Sequence, residues 1–198
     1  MAVLLAAALL LLMTPFWMHF ALNVSGGLDA QATPQMSYEL SDKTVGELFV
    51  GPGTFVAFGA DEQGHMRDVR LVLWAFLATA AASLAVLAVA VWRNGRDPAT
   101  WRAIGRGGIL LAGAVVVVGI FAAVAFGVAF ELFHRVLFPG GNWAFPADSL
   151  LIRLYPYAFW QMSAAALGVV SVVGGAITWR FAIHRARSLQ AQQSRQLS

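Results

Sequence analysis

The sequence contains no cysteine and few charged residues. Without cysteine the chain has no disulfide framework, no thiolate nucleophile, no Cys-ligated zinc or iron–sulfur site, and no cysteine that could carry a lipid. Only 12% of its 198 residues are charged and 59% are hydrophobic, whereas soluble domains are about 25% charged. These proportions exclude an ordinary water-soluble fold and predict a membrane protein.

Several catalytic motifs are also missing from the sequence. It contains no Gly-rich phosphate loop, no Gly-x-Ser-x-Gly and no His-Glu-x-x-His, so nucleotide use, serine hydrolase chemistry of the usual kind and zincin chemistry lack support. The net charge is +3, but the basic residues are not interleaved with aromatic residues as a nucleic-acid-binding face requires. We therefore expect neither nucleotides nor nucleic acids as partners.

Four long runs are free of Asp, Glu, Lys and Arg, namely 2–24, 71–92, 107–130 and 154–179. Each is long enough for a bilayer, which takes about 20 helical residues. The pattern predicts an all-α membrane protein with a single four-helix domain over 1–187 and spans at about 3–24, 70–92, 107–132 and 153–179. We expect the first helix to be retained rather than cleaved as a signal peptide, because no basic residue precedes it and its apolar run is long.

The orientation of these helices follows from the charges of their connections. The residues 93–106 hold four arginines and one acid, and the residues after 179 hold four arginines and no acid. By the positive-inside rule both segments, and hence both termini, are cytoplasmic. The segment 25–70 has seven acidic and three basic residues, which places the compact outer loops, 25–69 and 133–152, on the extracytoplasmic side. The polar tail, 188–198, is expected to be disordered.

Capping residues predict further local elements. Ser41 is a candidate N-cap of a short helix over 42–50 that stops at Gly51-Pro52. The apolar stretch 54–58 is either a short strand or simple packing. Asp61 is a candidate N-cap of the helix that carries His65 and continues into the second span.

Two prolines and a second candidate cap lie near the membrane helices. Asp148-Ser149 is a candidate N-cap of the fourth span. Pro15 and Pro156 are expected to kink the helices in which they lie, because proline lacks the N–H of the helical hydrogen bond.

Histidines are the residues best suited to chemistry here. His65 and His134 are both predicted at the outer boundary of the bilayer, on consecutive helices, where they can face each other across the mouth of the bundle. Interfacial packing is the simpler explanation for such residues. His19, near the outer end of the first span, is a further candidate for substrate contact, whereas His184 is expected to be solvated.

Other polar side chains are predicted at the same level as this pair. Asp68 follows His65 by three residues and shares its helix face, and Glu131 precedes His134 by three. Arginines at this level, including Arg70 and Arg153, would bind headgroup phosphates or nearby acids. The spacing alone leaves acid–base catalysis, a histidine metal site, or no chemistry.

Two motifs resemble the signatures of a known family. The residues 62–70 have the pattern Glu-x-x-His-Met-x-Asp-Val-Lys/Arg. The second motif comprises Phe133-His134-x-x-x-Phe138, Asn142-Trp143, Asp148-x-Leu150-Leu151-Ile152 and Tyr155-Pro156. In order, spacing and predicted topology the chain resembles the lipoprotein intramolecular transacylase family of four-helix bacterial membrane proteins.

The resemblance implies a reaction and a substrate. Such a transacylase moves the sn-2 acyl chain of an S-diacylglyceryl cysteine onto the α-amine of that cysteine, which gives a lyso-form lipoprotein. The two essential histidines of the family match His65 and His134. The implied partners are a diacylated lipoprotein N-terminus and the lipids of the bacterial cytoplasmic membrane, and no cofactor is implied, because exchange of an ester for an amide is downhill.

Roles within the site are our own hypotheses. One histidine, by preference His134, would accept the amine proton, and His65 would protonate the departing glycerol oxygen. Asp68 would orient an imidazole, and Arg70, Arg153 or a backbone N–H would stabilise the oxyanion. The remaining candidates for a supporting or substrate-binding role follow from the motifs and the histidine count: His19, Glu131, Asn142, Trp143, Asp148 and Tyr155.

Two alternatives stay open at this point. One is a zinc-dependent membrane hydrolase in which His19, His65 and His134, with a carboxylate, hold the metal. The other is an envelope membrane protein without enzymatic activity.

Overall fold

The computed structural model describes residues 1–27 and 33–197, and every regular element in those ranges is an α-helix. The predicted all-α class is therefore confirmed. The prediction for the first outer loop covers residues 28–32, including the charge of Asp29, and these lie outside the described residues. The helices are α1 (Ala2–Leu12), α2 (Pro15–Ser25), α3 (Pro34–Phe49), α4 (Ala60–Asn94), α5 (Pro98–Val124), α6 (Phe126–Leu137), α7 (Leu150–Leu154) and α8 (Tyr157–Leu197).

Three of these helices, α4, α5 and α8, are long and apolar enough to cross a bilayer. The pair α1 and α2 meets the same criterion jointly, with a bend of 64° between the two helices. Helices suit such segments because a backbone in hydrocarbon must satisfy its own hydrogen bonds. The described chain thus offers three spans, or four where the bent pair counts as one, and it is a membrane protein by these helices and its composition.

Helix breaks occur at both predicted prolines and at one unpredicted position. Pro15 is the first residue of α2, after an extended Thr14 with ψ 149°. Pro156 separates α7 from α8. Both predictions are confirmed, because proline fits the first turn of a helix but not its interior. A further break lies at Ala125, with φ −137° and ψ 52°, and no sequence signal marks it.

The helix of the first loop begins earlier than predicted. α3 starts at Pro34, and Thr33 is its N-cap, with a side chain that accepts a hydrogen bond from Met36 N. Ser41 is therefore not a cap but a fully buried residue inside α3. The prediction erred because Thr33-Pro34 is an equally good start signal, and no glycine or proline interrupts the next eleven residues. The predicted stop near Gly51 is confirmed, since α3 ends at Phe49.

The apolar stretch 54–58 forms a packed turn rather than a strand. Phe55 and Phe58 are buried, and Phe55 adopts the left-handed φ of 50°. The buried carboxylate of Glu47 holds this turn, because its Oε2 accepts a hydrogen bond of 2.6 Å from Phe55 N. α3 therefore fixes the path of the chain that leads into α4.

The caps at the other two predicted helix starts differ in detail from the sequence expectation. α4 begins at Ala60, so Asp61 lies in its first turn and is not the N-cap. Ser149 is an N-cap, but of the short helix α7, where its Oγ accepts from Ile152 N. The fourth long helix, α8, starts only at Tyr157, because Pro156 ends the preceding turn.

The C-terminal segment is helical rather than disordered. α8 continues to Leu197, so the prediction of a disordered tail from 188 is wrong for the described residues. Gln, Ala, Arg and Leu are good helix formers, and no Gly or Pro occurs after 175. A helix already nucleated inside the bilayer extends through such a segment at little cost.

The chain divides into two compact units. Unit 1 comprises Met1–Ala8, Leu77–Ile120 and Leu167–Ser198, and unit 2 comprises Leu9–Phe76 and Phe121–Ala166. In unit 1 the backbones of α5 and α8 meet at two glycines: a Cβ on Gly108 would lie 2.6 Å from the carbonyl oxygen of Gly175. All candidate site residues belong to unit 2.

This close contact predicts the effect of a single methyl group. We expect Gly108→Ala to lower the free energy of unfolding by about 1–3 kcal/mol, because the new Cβ forces two packed backbones apart. Thermal unfolding in detergent micelles measures the change. Gly113→Ala is the matched control on the same helix, since nothing lies within 4 Å of its Cβ position. Equal stability of the two variants would contradict the contact.

Candidate functional site

Unit 2 brings the two predicted histidines together. His65 lies in the second turn of α4 and His134 in the last turn of α6. Their ring centroids are 6.0 Å apart, and the planes are inclined by 30°. Both residues are buried, with exposed fractions of 6% and 8%. Two imidazoles at this distance can act on neighbouring atoms of one small group.

The tautomer of His134 is fixed by the backbone of its own helix. Its Nδ1 lies 2.7 Å from the carbonyl oxygen of Phe130, one turn earlier. A carbonyl only accepts, so Nδ1 donates, and in the neutral ring Nε2 then holds the lone pair. Burial lowers the pKa of the His134 imidazole below its ordinary value of 6.5, and the hydrogen bond to Phe130 opposes this shift in part. His134 is thus arranged as a neutral base near pH 7.

His65 is held differently. Within the described residues its Nδ1 is buried and has no hydrogen-bond partner. A buried polar nitrogen without a partner is costly, and such atoms are rare in folded proteins. A catalytic or ligand-binding role is one recognised reason for such an unpaired group.

Aromatic rings surround the pair. His65 contacts Phe138 and Phe145 edge-on, with centroid distances of 4.8 Å and 5.6 Å. Trp143 lies 5.1 Å from His134, so the motif residue Trp143 packs on an imidazole. The apolar rings lower the local dielectric response, which strengthens any charge interaction within the site.

Asp68 and Asn142 pair with each other. Asn142 Nδ2 donates a hydrogen bond of 2.6 Å to Asp68 Oδ2. Asp68 lies near enough to His65 for a Coulombic interaction with its ring. The expectation that Asp68 hydrogen-bonds an imidazole is not met in the described residues, where its hydrogen bond goes to Asn142.

The buried carboxylate of Glu62 joins two helix starts. Its Oε2 accepts a hydrogen bond of 2.8 Å from Gly59 N, at the start of α4, and its Oε1 accepts one of 2.7 Å from Leu151 N in α7. Helix N-termini favour such a negative charge because their first N–H groups lack helical partners. Glu62 therefore fixes the first turn of α4, one turn before His65, relative to α7.

Glu62 positions the helix that carries His65, a role that was not predicted from the sequence. A carboxylate at the third position of a helix is a known capping signal, so its contact with Gly59 was accessible from the sequence. The bond to Leu151 was not, because it spans 89 positions of the chain.

Three of the predicted supporting residues have other partners or are exposed. His19 Nε2 is 2.9 Å from Asp42 Oδ1, and its ring stacks on Tyr38 at 4.3 Å. Glu131 pairs with Arg135 on an exposed face of α6. Asp148 is exposed, ahead of α7.

The two candidate arginines and Tyr155 also have defined places. Arg70 Nη1 donates a hydrogen bond of 2.9 Å to the Gly51 carbonyl, so this guanidinium braces the turn before α4. Arg153 is half-buried in the last turn of α7. Tyr155 is buried and donates to Ser41 Oγ at 3.2 Å, and burial raises its pKa to about 12.

The arrangement does not favour the zinc alternative. In residues 1–27 and 33–197 no three or more His, Asp or Glu side chains are grouped as a metal site requires. His19, the third histidine of that hypothesis, is engaged by α3 instead. A zinc site needs three or four ligands, and the histidine pair supplies two.

Fold and site together define an all-helical membrane protein with a buried histidine pair. The sequence matches the family described as lipoprotein intramolecular transacylase Lit over residues 30–160. Because the match covers more than half of the chain, the protein belongs to this family, as the two motifs predicted.

Comparison with individual proteins adds a distant relative. A protein of Aquifex aeolicus (strain VF5), named only as an uncharacterized protein, is 32% identical over 125 residues. The aligned part is 60% of this chain and 53% of that protein, so the chain spans about half the length of this relative. No solved structure matches the chain significantly.

Burial predicts the titration of His134. We expect its ring to titrate below pH 6.5 in an NMR titration of the ¹⁵N-histidine-labelled protein, with assignment by the His134→Gln variant. Because its pKa in the unfolded chain is higher, the unfolded state binds the proton first as the pH falls. The folded protein therefore loses stability below about pH 6.5 more steeply than His134→Gln does. A midpoint at or above 6.5 would contradict this.

The double role of Glu62 predicts a loss of stability on a neutral substitution. In Glu62→Gln one of the two backbone N–H groups faces an amide NH₂ and loses its acceptor. We expect the free energy of unfolding to fall by about 1–3 kcal/mol. Asp61→Asn is the same chemical change at the preceding, exposed position and should cost under about 1 kcal/mol. Similar losses in both variants would show that only the helix charge matters.

Proposed function

We propose that this protein transfers the sn-2 acyl chain of an S-diacylglyceryl cysteine to the α-amine of the same N-terminal cysteine of a bacterial lipoprotein. The observation that carries the proposal is the buried pair of His65 and His134, 6.0 Å apart, in a chain that belongs to the transacylase family. The product is the lyso form, with an N-acyl chain and a free sn-2 hydroxyl.

His134 acts as the base in the proposed mechanism. The amine nitrogen attacks the ester carbonyl carbon, and as the C–N bond forms the nitrogen proton passes to Nε2 of His134. The hydrogen bond from Nδ1 to Phe130 supports this role because it leaves the lone pair on Nε2. Amine and ester belong to one molecule, so the protein gains much by holding them in a near-attack geometry.

His65 acts as the acid. When the tetrahedral intermediate collapses, the bond between the carbonyl carbon and the glycerol oxygen breaks, and His65 donates a proton to that oxygen. The proton that His134 takes from the nitrogen passes to His65 as His65 gives its own to the oxygen, so one proton moves from the amine to the alcohol and both rings end the cycle neutral. The 6.0 Å between the rings suits two groups that serve the nucleophile and the leaving oxygen of one carbonyl centre.

The membrane location suits this substrate. Acyl chains lie in hydrocarbon while the lipoprotein N-terminus lies in water, so the reacting ester sits at the boundary. We place the site on the extracytoplasmic side, because the arginines at 93–106 and after 179 mark the opposite ends of the long helices as cytoplasmic. Conversion of an ester to an amide requires neither ATP nor acyl-CoA, so the proposed reaction uses no cofactor.

The proposal predicts a specific lipopeptide product. When the protein is expressed in a host that lacks its own N-acyltransferase, mass spectrometry of a model lipoprotein should show N-acyl-S-monoacylglyceryl cysteine at its N-terminus. We expect His65→Ala and His134→Ala each to lower the initial rate of product formation at least about 100-fold, because each removes a proton-transfer group.

The matched control is His184→Ala. His184 is an exposed histidine of α8 in unit 1, and its replacement should leave the product unchanged. A diacylglyceryl peptide with a free amine, recovered from well-folded and membrane-inserted wild-type protein, would overturn the proposal. Full activity of both His65→Ala and His134→Ala would overturn the mechanism.

A further inference from the structure

The carboxylate of Asp68 lies close to the histidine pair. Asp68 lies one helical turn after His65, and its carboxylate is half-buried. In residues 1–27 and 33–197 no Lys, Arg or His side chain forms an ion pair with it. Arg135 pairs with Glu131 instead, and Arg70 donates a hydrogen bond to the Gly51 carbonyl. A half-buried carboxylate without a cation in these ranges can form a charge-assisted hydrogen bond with a positively charged ligand.

Asn142 holds this carboxylate in place beside the pair. The hydrogen bond from Asn142 Nδ2 occupies Oδ2 of Asp68, and Oδ1 keeps its capacity to accept. The next residue, Trp143, packs on His134. One short segment of the chain thus positions both the carboxylate of Asp68 and the ring of His134.

A second observation at the same place is a buried ring nitrogen without a hydrogen bond among the described residues. His65, on the same helix face as Asp68, is 6% exposed and has an unpaired Nδ1 within the described residues. The rings of Phe138 and Phe145 contact this imidazole and supply apolar surface with π-faces, which also attract cations. The carboxylate, the unpaired nitrogen and the aromatic rings suit a small, cationic hydrogen-bond donor.

We infer that Asp68, held by Asn142, is the binding site for a primary ammonium group, which is the α-ammonium of the substrate's N-terminal cysteine. The identity of this ligand rests on the proposed function, whereas the preference for a cation rests on the geometry. An α-amine has an ordinary pKa of about 8, so most of it is ammonium at pH 7. Asp68 is a binding residue in this assignment, and its carboxylate is not the base.

The ion pair also orders the reaction. While the nitrogen is charged it has no lone pair, and Asp68 keeps it next to the imidazoles. Release of one proton to water leaves a neutral amine and removes the attraction to Asp68, and the second proton passes to His134 as the C–N bond forms. The nitrogen is then free to form its bond to the ester carbonyl carbon.

Binding of two unreactive lipopeptides tests the inference. The first is a synthetic S-dialkylglyceryl-cysteine hexapeptide in which ether bonds replace both esters. The second is identical except that hydrogen replaces the α-amine. Affinity is measured in detergent micelles at pH 7 by the fluorescence of a dye on the C-terminal peptide residue. We expect the wild-type protein to bind the amine form roughly tenfold or more tightly than the desamino form, as for a charged hydrogen bond.

Asp68→Asn should reduce this preference to within about twofold, because the amide keeps the shape but loses the charge. Asp61→Asn, an exposed acid on the same helix, should keep the full preference. Asn142→Leu leaves the carboxylate but removes the donor that holds it, and should weaken the preference severalfold. If Asp68→Asn does not fold, the Asn142→Leu variant decides the question.

The outcomes separate this inference from the proposed function. A wild-type protein that does not distinguish the two peptides, or a folded Asp68→Asn that still does, overturns the ammonium site even where acyl transfer is observed. A preference that is lost in Asp68→Asn supports the site even where the mass-spectrometric assay finds no acyl transfer.

Discussion

Two backbone N–H groups, 92 positions apart in the chain, converge on the single buried carboxylate of Glu62. The one from Gly59 opens the helix that carries His65, and the one from Leu151 opens the helix that carries Arg153. Each N–H lies at a helix start, where the helix itself provides no acceptor. One carboxylate therefore accepts hydrogen bonds from two backbone donors. The segment between α6 and α7, which includes Asn142 and Trp143, is consequently held at both ends: by α6 with His134 and by α7 with Glu62.

Burial and charge together set the properties of the site. His134 is neutral near pH 7 because burial disfavours its protonated form, and its hydrogen bond to Phe130 selects one tautomer. The carboxylate of Asp68 lies close to His65, and Asn142 donates a hydrogen bond to it. A site of this kind suits proton transfer.

The local features of the fold were largely predictable from the sequence. Pro15 and Pro156 break helices because proline lacks an N–H, and this effect does not depend on how the helix packs. Ser41 shows the limit of such reasoning. It has the chemistry of a cap, but the helix already starts at Thr33-Pro34, and the Ser41 hydroxyl accepts a hydrogen bond from Tyr155 instead. The break at Ala125 has no local signal.

The histidine pair was predictable from the sequence, but the contacts of the side chains around it were not. The motifs identified His65 and His134, and the structure brings their rings within 6.0 Å. The motifs did not indicate that Asn142 donates a hydrogen bond to Asp68, that Glu131 pairs with Arg135, or that His19 pairs with Asp42. Each of these side chains has several possible partners, and the spacing of residues along one helix does not determine which of them it contacts.

The sequence by itself determined the class of the protein. The shortage of charge and the length of the apolar runs require helices, because no other open backbone satisfies its hydrogen bonds in hydrocarbon. The two motifs determined the family. Only the tertiary structure decided which polar groups meet, because Glu62 with Leu151 and Asp68 with Asn142 are bonds between residues far apart in the chain. Their partners depend on the packing of whole helices, which no local pattern encodes.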